Sequence, residues 1–280
     1  MGHTFVNNLK TVLLLGLLTG LLVGVGAMLG SGYILPFLVI SLLMNVGAWF
    51  FSDKIAIAAM RGREVDAQTG GDLYRLVDEL RQNAGLPMPR VYVCPHEAPN
   101  AFATGRSPKK AAVAFTQGAL NLLSREELRG VIAHELAHIK NRDTLTSTVA
   151  ASIAGVLAAI AQWGFFLGGN RDTNPLAFIL VAIFGAVGAA IIKAAISRRR
   201  EFVADADGAR IAGSPDGLVS ALQRLEAYSR RIPLVQPNPA QNNLFIVEPF
   251  SGGGVGRTLT NLFATHPPTE ARVRALLSQR

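Results

Sequence analysis

Charged residues vanish from three long stretches of the chain. None occurs from Thr11 to Ser52, from Thr144 to Asn170, or from Thr173 to Ile192. A helix needs about 20 mostly apolar residues to cross the hydrocarbon core of a membrane. The first stretch is long enough for two such helices, with a turn at Gly30-Ser31-Gly32. The other two make one each, joined through Asn170-Arg171-Asp172-Thr173-Asn174. The pattern predicts four spans in two hairpins. A secretory signal does not account for the first stretch, because a signal's apolar region runs about 7–15 residues before a small-residue cleavage site. Here the apolar character continues. Buried globular helices are the competing reading for the second and third stretches, whose Ala and Gly also suit tight soluble packing.

Between the hairpins the pattern changes. Leu73, Leu76, Val77 and Leu80 recur at helical spacing and predict an amphipathic helix over Gly71 to Asn83, closed by Pro87-Met88-Pro89. Arg90 to Cys94 alternates and is rich in β-formers, as a strand should be, and Lys110 to Phe115 reads as a second strand. Pro99 to Gly105 between them is expected to be extended or turn-like. Ser124-Arg125-Glu126-Glu127 is a capping box that opens a helix through Leu128, Val131 and Ile132. Past the second hairpin, Ser214-Pro215-Asp216 caps a helix to about Arg230. Ile232 to Asn243 reads as a loop, Ser251 to Gly254 as a flexible segment, and Glu270 to Ser278 as a short terminal helix.

Charge sets the orientation. Lys10, Lys54, Arg61 and Arg63 flank the first hairpin, while Lys140, Arg142, Lys193 and Arg198 to Arg200 flank the second. The two turns hold only Arg171. By the excess of Lys and Arg on cytoplasmic loops, both open ends face the cytoplasm. The net charge of +8 is explained by basic residues at membrane boundaries, which attract anionic head groups. No basic helix with interleaved aromatics points to nucleic acid. Cys94 is the only cysteine, so no intrachain disulfide forms, which fits a reducing compartment. It reads as a small packing residue. His3 and His96 sit in no motif and read as surface residues.

The chemistry lies in His134-Glu135-Leu136-Ala137-His138. Residues four apart on a helix share a face, so the two imidazoles can meet one zinc ion. Catalytic zinc commonly keeps three protein ligands and an open position. Glu135 is placed to take a proton from water and deliver it to a leaving amine. A surface helix with two solvated histidines would show the same five letters. Against it stand the apolar neighbours Val131, Ile132, Ala133 and Ile139, the independent capping box, and a third ligand downstream. That ligand is Glu201. Asp205, one turn later, can hold a ligand imidazole by its free N–H and so fix its orientation. The residues between His138 and Glu201 are a membrane hairpin, which leaves and returns on one side and brings the two helices together.

These motifs resemble those of the HtpX-like heat-shock membrane proteases, relatives of the CAAX prenyl endopeptidases. The shared segments are HELAH at His134 to His138, EFVAD at Glu201 to Asp205, NAFATG at Asn100 to Gly105, and THPPT at Thr265 to Thr269 with Arg272. The resemblance runs over nearly the whole chain. It implies a gluzincin-type fold, one zinc ion per chain, and ATP-independent endopeptidase activity in bacterial membrane-protein quality control. It also implies that Asn100, Ala101 and Phe102 line the cleft and pair with substrate backbone. His266 would help to stabilise the transition state, or else serve only as a helix-start histidine before Pro267-Pro268.

The expected molecule is a mainly α, multi-pass integral membrane protein with four transmembrane helices and a cytoplasmic α+β gluzincin-type zinc protease domain. Residues 1–52 form the first hairpin, 53–143 the part of the protease with the HExxH helix, 144–197 the second hairpin, and 198–280 the part with the third ligand. Both termini and the active site lie on the cytoplasmic side of a bacterial inner membrane. The expected partners are the lipid bilayer and membrane-protein or unfolded polypeptide substrates, with no nucleic acid. A structural zinc scaffold is the rival reading, but such sites are usually closed by four ligands, often Cys. A prenyl-protein endopeptidase would share the chemistry yet need a chamber larger than four spans enclose. Taken as continuous helix at 1.5 Å per residue, the chain from His138 to Thr144 puts the zinc about 10 Å from the third span.

Overall fold

A computed structural model describes residues 2–147, 149, 198–231 and 267–278. Apart from residues 144–147 and 149, the predicted second hairpin lies outside the described residues, as do the loop at 232–243, the flexible segment at 251–254 and His266.

The first apolar stretch folds as two long helices, α1 (Gly2–Leu29) and α2 (Ile34–Ala59), joined by a 3-10 turn at Ser31–Tyr33. Two apolar segments are long enough to cross a membrane, Leu9–Ala27 within α1 and Ser31–Phe51 across the turn and α2. Large apolar side chains such as Leu13, Leu35 and Leu43 point outwards along them, exposed by 62%, 68% and 67%. A water-soluble surface rarely presents so continuous an apolar face, and it marks the chain as membrane-associated. The two helices are tied by Asn45, whose Nδ2 donates to Thr19 Oγ1 at 2.8 Å and to the Leu15 carbonyl at 3.2 Å.

Past Phe51, α2 runs on into the α+β part of the chain. There a four-stranded sheet is built from β1 (Arg63–Val65), β2 (Arg90–Cys94), β3 (Ala101–Gly105) and β4 (Ala111–Thr116), in the order β1-β2-β4-β3. Only β2 and β4 are parallel. Alternation sends Val91, Val113 and Phe115 to one face and Tyr92, Cys94, Ala112 and Ala114 to the other. The first face packs on α3 (Gly71–Ala84) and α5 (Arg125–Lys140), with α7 (Asp216–Arg231) and α8 (Thr269–Leu277) beyond. The second face is covered by Ala56, Ile57 and Met60 from the end of α2. Because both faces are covered, every residue of β4 is buried, and its continuous apolar run is that of a central strand.

Several expectations are refined. The α3 helix stops at Gly85, whose left-handed φ of 68° turns the chain before Pro87 is reached. The segment expected to be extended or turn-like is the edge strand β3. Strand β1 and a short helix, α4 (Gln117–Leu122), were not anticipated, because three residues and six residues give no readable period. His96 is half-buried, with Nε2 3.1 Å from the Met60 carbonyl. Cys94 is buried and packs as expected.

Helix α5 starts with both reciprocal bonds of the capping box: Glu127 N–H to Ser124 Oγ at 3.4 Å and Ser124 N–H to Glu127 Oε2 at 2.8 Å. It does not run continuously towards the second hairpin. Arg142 has a φ of 57°, which breaks the helix, and a new helical turn begins at Asp143. The continuous-helix estimate of zinc height therefore does not apply.

Candidate metal centre

Helices α5 and α6 (Arg198–Ala212) cross closely because Gly208 faces the His134 backbone. A methyl group there would lie 3.0 Å from His134 N and Cα. This approach sets Glu201 and Asp205 of α6 against the two histidines of α5. His134 Nε2 and His138 Nε2 stand 3.2 Å apart. Glu201 Oε2 lies 3.7 Å from the first and Oε1 lies 3.6 Å from the second. His134 is 1% exposed and Glu201 4%, so the cluster lies below the surface.

A carboxylate also stands at the far side of each ring. Asp205 Oδ1 is 2.9 Å from His134 Nδ1, and Asp143 Oδ2 is 3.3 Å from His138 Nδ1. The Asp143 contact has hydrogen-bond geometry, whereas Asp205 stands at ion-pair distance from His134 Nδ1 without it; both carboxylates favour a proton on Nδ1, which leaves the Nε2 lone pairs pointing inward. With both rings neutral, two such acceptors cannot bond to each other, nor to the Glu201 oxygens they face, so a proton or a metal ion has to lie between them. A shared cation resolves the conflict: two nitrogens each about 2.0–2.1 Å from a tetrahedral centre stand about 3.3 Å apart. The residues fit a metal ion on this ground.

The surrounding charges favour a positive species at this point, and without a metal ion a proton on His138 is that species. Glu135, Asp143, Glu201 and Asp205 are four buried carboxylates; Arg272 is a buried guanidinium among them, and the largely buried Arg200 stands 3.8 Å from Asp143. Burial opposes charge on His138, but Glu201, Asp143 and Glu135 outweigh it and raise its pKa to about 9. Burial likewise opposes charge on Asp205, yet Arg272 and His134 lower its pKa to about 2. Arg272, on α8, donates from Nε and Nη2 to the two Asp205 oxygens at 2.8 and 2.6 Å. Its Nη2 also lies 3.5 Å from His134 Nε2 and 4.0 Å from Glu201 Oε2.

The structure thus brings together His134, His138, Glu201 and Asp205, with Glu135 buried beside them. Ala101 and Phe102 lie on the edge strand β3, and their side chains are committed to the two cores. Asn100 is buried, and neither side-chain amide atom has a partner among the described residues. Two residues were given no role in the site by the sequence, Arg272 appearing there only as part of the C-terminal motif. Asp143 is hidden by the helix break, which destroys the spacing to His138. Arg272 did carry a signal: it shares a buried face with Leu276, four residues on, where an arginine needs a partner.

The model of peptidase family M48 matches residues 67–280. The chain belongs to peptidase family M48. Its relatives named "Protease HtpX homolog" include one from Desulfatibacillum aliphaticivorans, 48% identical over 98% of this chain and 90% of the relative. Another, from Pelotomaculum thermopropionicum, is 49% identical over 96% and 98%. One from Thermococcus kodakarensis is 47% identical over 96% and 94%. The fold is similar to that of S. mikatae Ste24p, with a TM-score of 0.51 and 18% identity, covering 99% of this chain and 66% of Ste24p. As an M48 member the protein is a metalloprotease that hydrolyses peptide substrates.

Proposed function

We propose that the protein is a zinc-dependent endopeptidase of a bacterial inner membrane that cuts misfolded or damaged membrane proteins in their cytoplasmic segments. The observation that carries this reading is the set of three donor atoms from His134, His138 and Glu201, all within 4.8 Å of one another. In this reading those three residues hold zinc, and Asp205 orients His134. When bound, the ion polarises the scissile carbonyl and acidifies a water molecule. Glu135 accepts that water's proton and passes it to the departing amine. The edge of β3 holds an extended substrate by its backbone, with Asn100 just ahead of that strand in the same substrate-binding segment, and His266 steadies the developing charge.

The protease part, residues 53–143 and 198–280, takes a gluzincin-type fold. Residues 1–52 and 144–197 form four spans, with both termini on the cytoplasmic side. The basic residues at the span ends and the resemblance to the HtpX-like proteases support this arrangement. Incubation of a reconstituted membrane protein with wild type and with Glu135→Gln tests the reading. Wild type is expected to release fragments, while the variant keeps its zinc and releases none. Full proteolysis by Glu135→Gln would overturn the mechanism.

A further inference from the structure

The helical turn at 143–147 touches a different part of the molecule with nearly every residue. Asp143 reaches back to His138, and its Oδ1 also lies 3.8 Å from Arg200 Nη1. Thr144 Oγ1 donates to the Gly105 carbonyl at the end of β3, at 2.8 Å. Leu145, with Val149, packs against Leu14, Leu18 and Leu22 of α1. Thr146 Oγ1 is 3.1 Å from Thr11 Oγ1 of α1, and both residues are 1% exposed. Ser147 Oγ accepts from Arg200 Nη2 at 3.4 Å.

This turn is not an extension of the metal helix. The left-handed Arg142 separates them, so α5 alone does not dictate where Asp143 stands relative to His138. A non-glycine residue in that conformation persists only where its surroundings hold it. What holds it here is the far side of the turn, through α1, Arg200 and β3. Because one helical turn moves as a unit, displacing Leu145 and Thr146 displaces Asp143 with them.

We propose that Asp143 is a positioning residue for His138, and that docking of α1 through Thr11 and Leu14 sets Asp143 in place. The apolar hairpin is then a structural part of the metal centre, beyond its contact with lipid. The proposal rests on reading His138 as a metal ligand.

Release of zinc from the full-length protein in detergent, followed with a chromogenic chelator, tests it without reference to proteolysis. Asp143→Ala should weaken zinc binding about 10–100-fold. Asp143→Asn, which keeps the shape and one acceptor oxygen, should weaken it less. Thr11→Val with Leu14→Ala should speed release about three- to tenfold, as loss of a hydrogen bond and its packing would. Thr11→Ser, which keeps the hydroxyl, should release zinc like wild type. Leu17→Ala, on the 44% exposed side of α1, should also be silent. Wild-type release from Asp143→Ala would remove Asp143 from the centre. Wild-type release from the α1 double variant, or an equal effect from Leu17→Ala, would overturn the coupling to α1. Retention of zinc by His138→Ala would instead overturn the metal-ligand reading beneath the proposal.

Discussion

Arg272 is the residue on which the buried charge most depends. It is 1% exposed, and its guanidinium meets both oxygens of an equally buried Asp205. Removing one member of a buried pair leaves an uncompensated charge and commonly costs about 3–5 kcal/mol. Arg272→Ala should therefore lower the thermal stability of the metal-free protein in detergent and weaken zinc binding together. Arg272→Lys should recover only part of either, because an ammonium cannot offer the paired donors of a guanidinium. Asp205→Ala removes the partner of His134 and should weaken zinc about 10–100-fold without abolishing binding, as chelator competition would show. Wild-type affinity in Asp205→Ala would take that residue out of the site. The four residues His134, His138, Glu201 and Asp205 were legible because helical spacing of four pairs them two by two. Asp143 and Arg272 were not legible as partners of the histidines, since a helix break hides one and distance along the chain hides the other.

Elements with their own local code were the easiest to read. The capping box at Ser124 to Glu127 specifies the start of α5 from four residues, and both of its bonds are present. Strand β3 was harder, since Ala and Gly have little β preference and it is a strand only because β4 pairs with it. Glu127 does more than cap. Its Oε1 also accepts from Ser220 Oγ at 2.6 Å and Arg224 Nε at 2.8 Å, joining α5 to α7. The two helices meet closely there, because a methyl group on Gly130 would lie 2.3 Å from the Leu218 nitrogen. Burial would raise the Glu127 pKa, but bonds from Ser220, Ser124 and Arg224 prevail and lower it below 4.5. A carboxyl whose pKa is lowered by folding adds stability that is present above its unfolded pKa and lost as pH falls through the folded value. Glu127→Gln should therefore be less stable than wild type by about 1 kcal/mol near neutral pH. That gap should close as pH drops below about 4, in thermal unfolding measured across pH. A gap that widened in acid would show that the charge is not what Glu127 contributes.

For the whole molecule, uncharged stretches predicted hairpins, and the first pair is present as α1 and α2. What they did not reveal is how firmly the hairpin grips the protease part. The end of α2 covers one face of the sheet, and Asp53 accepts from Arg90 at 2.5 Å. Arg106, just past β3, lies 4.6 Å over the ring of Phe50, the next-to-last residue of α2's apolar segment. Thr144 holds the Gly105 carbonyl from the other side. The edge strand β3 is thus fixed at the level where α2 leaves its apolar segment, a firmer basis for the height of the site than counting along a helix that breaks at Arg142. A peptide that adds to such an edge must be extended, since a helix keeps its backbone groups to itself. A substrate with one span, a linker and a tightly folded cytoplasmic domain makes this measurable. With a linker of about 5 residues, too few extended residues are available to reach along the strand, and cleavage should be absent. With linkers of about 15 and 30 residues, mass spectrometry of the fragments should place the cuts at one distance from the span, whatever the linker length. Cuts at a fixed distance from the folded domain instead, or spread evenly along the linker, would show that the membrane does not set where this protease acts.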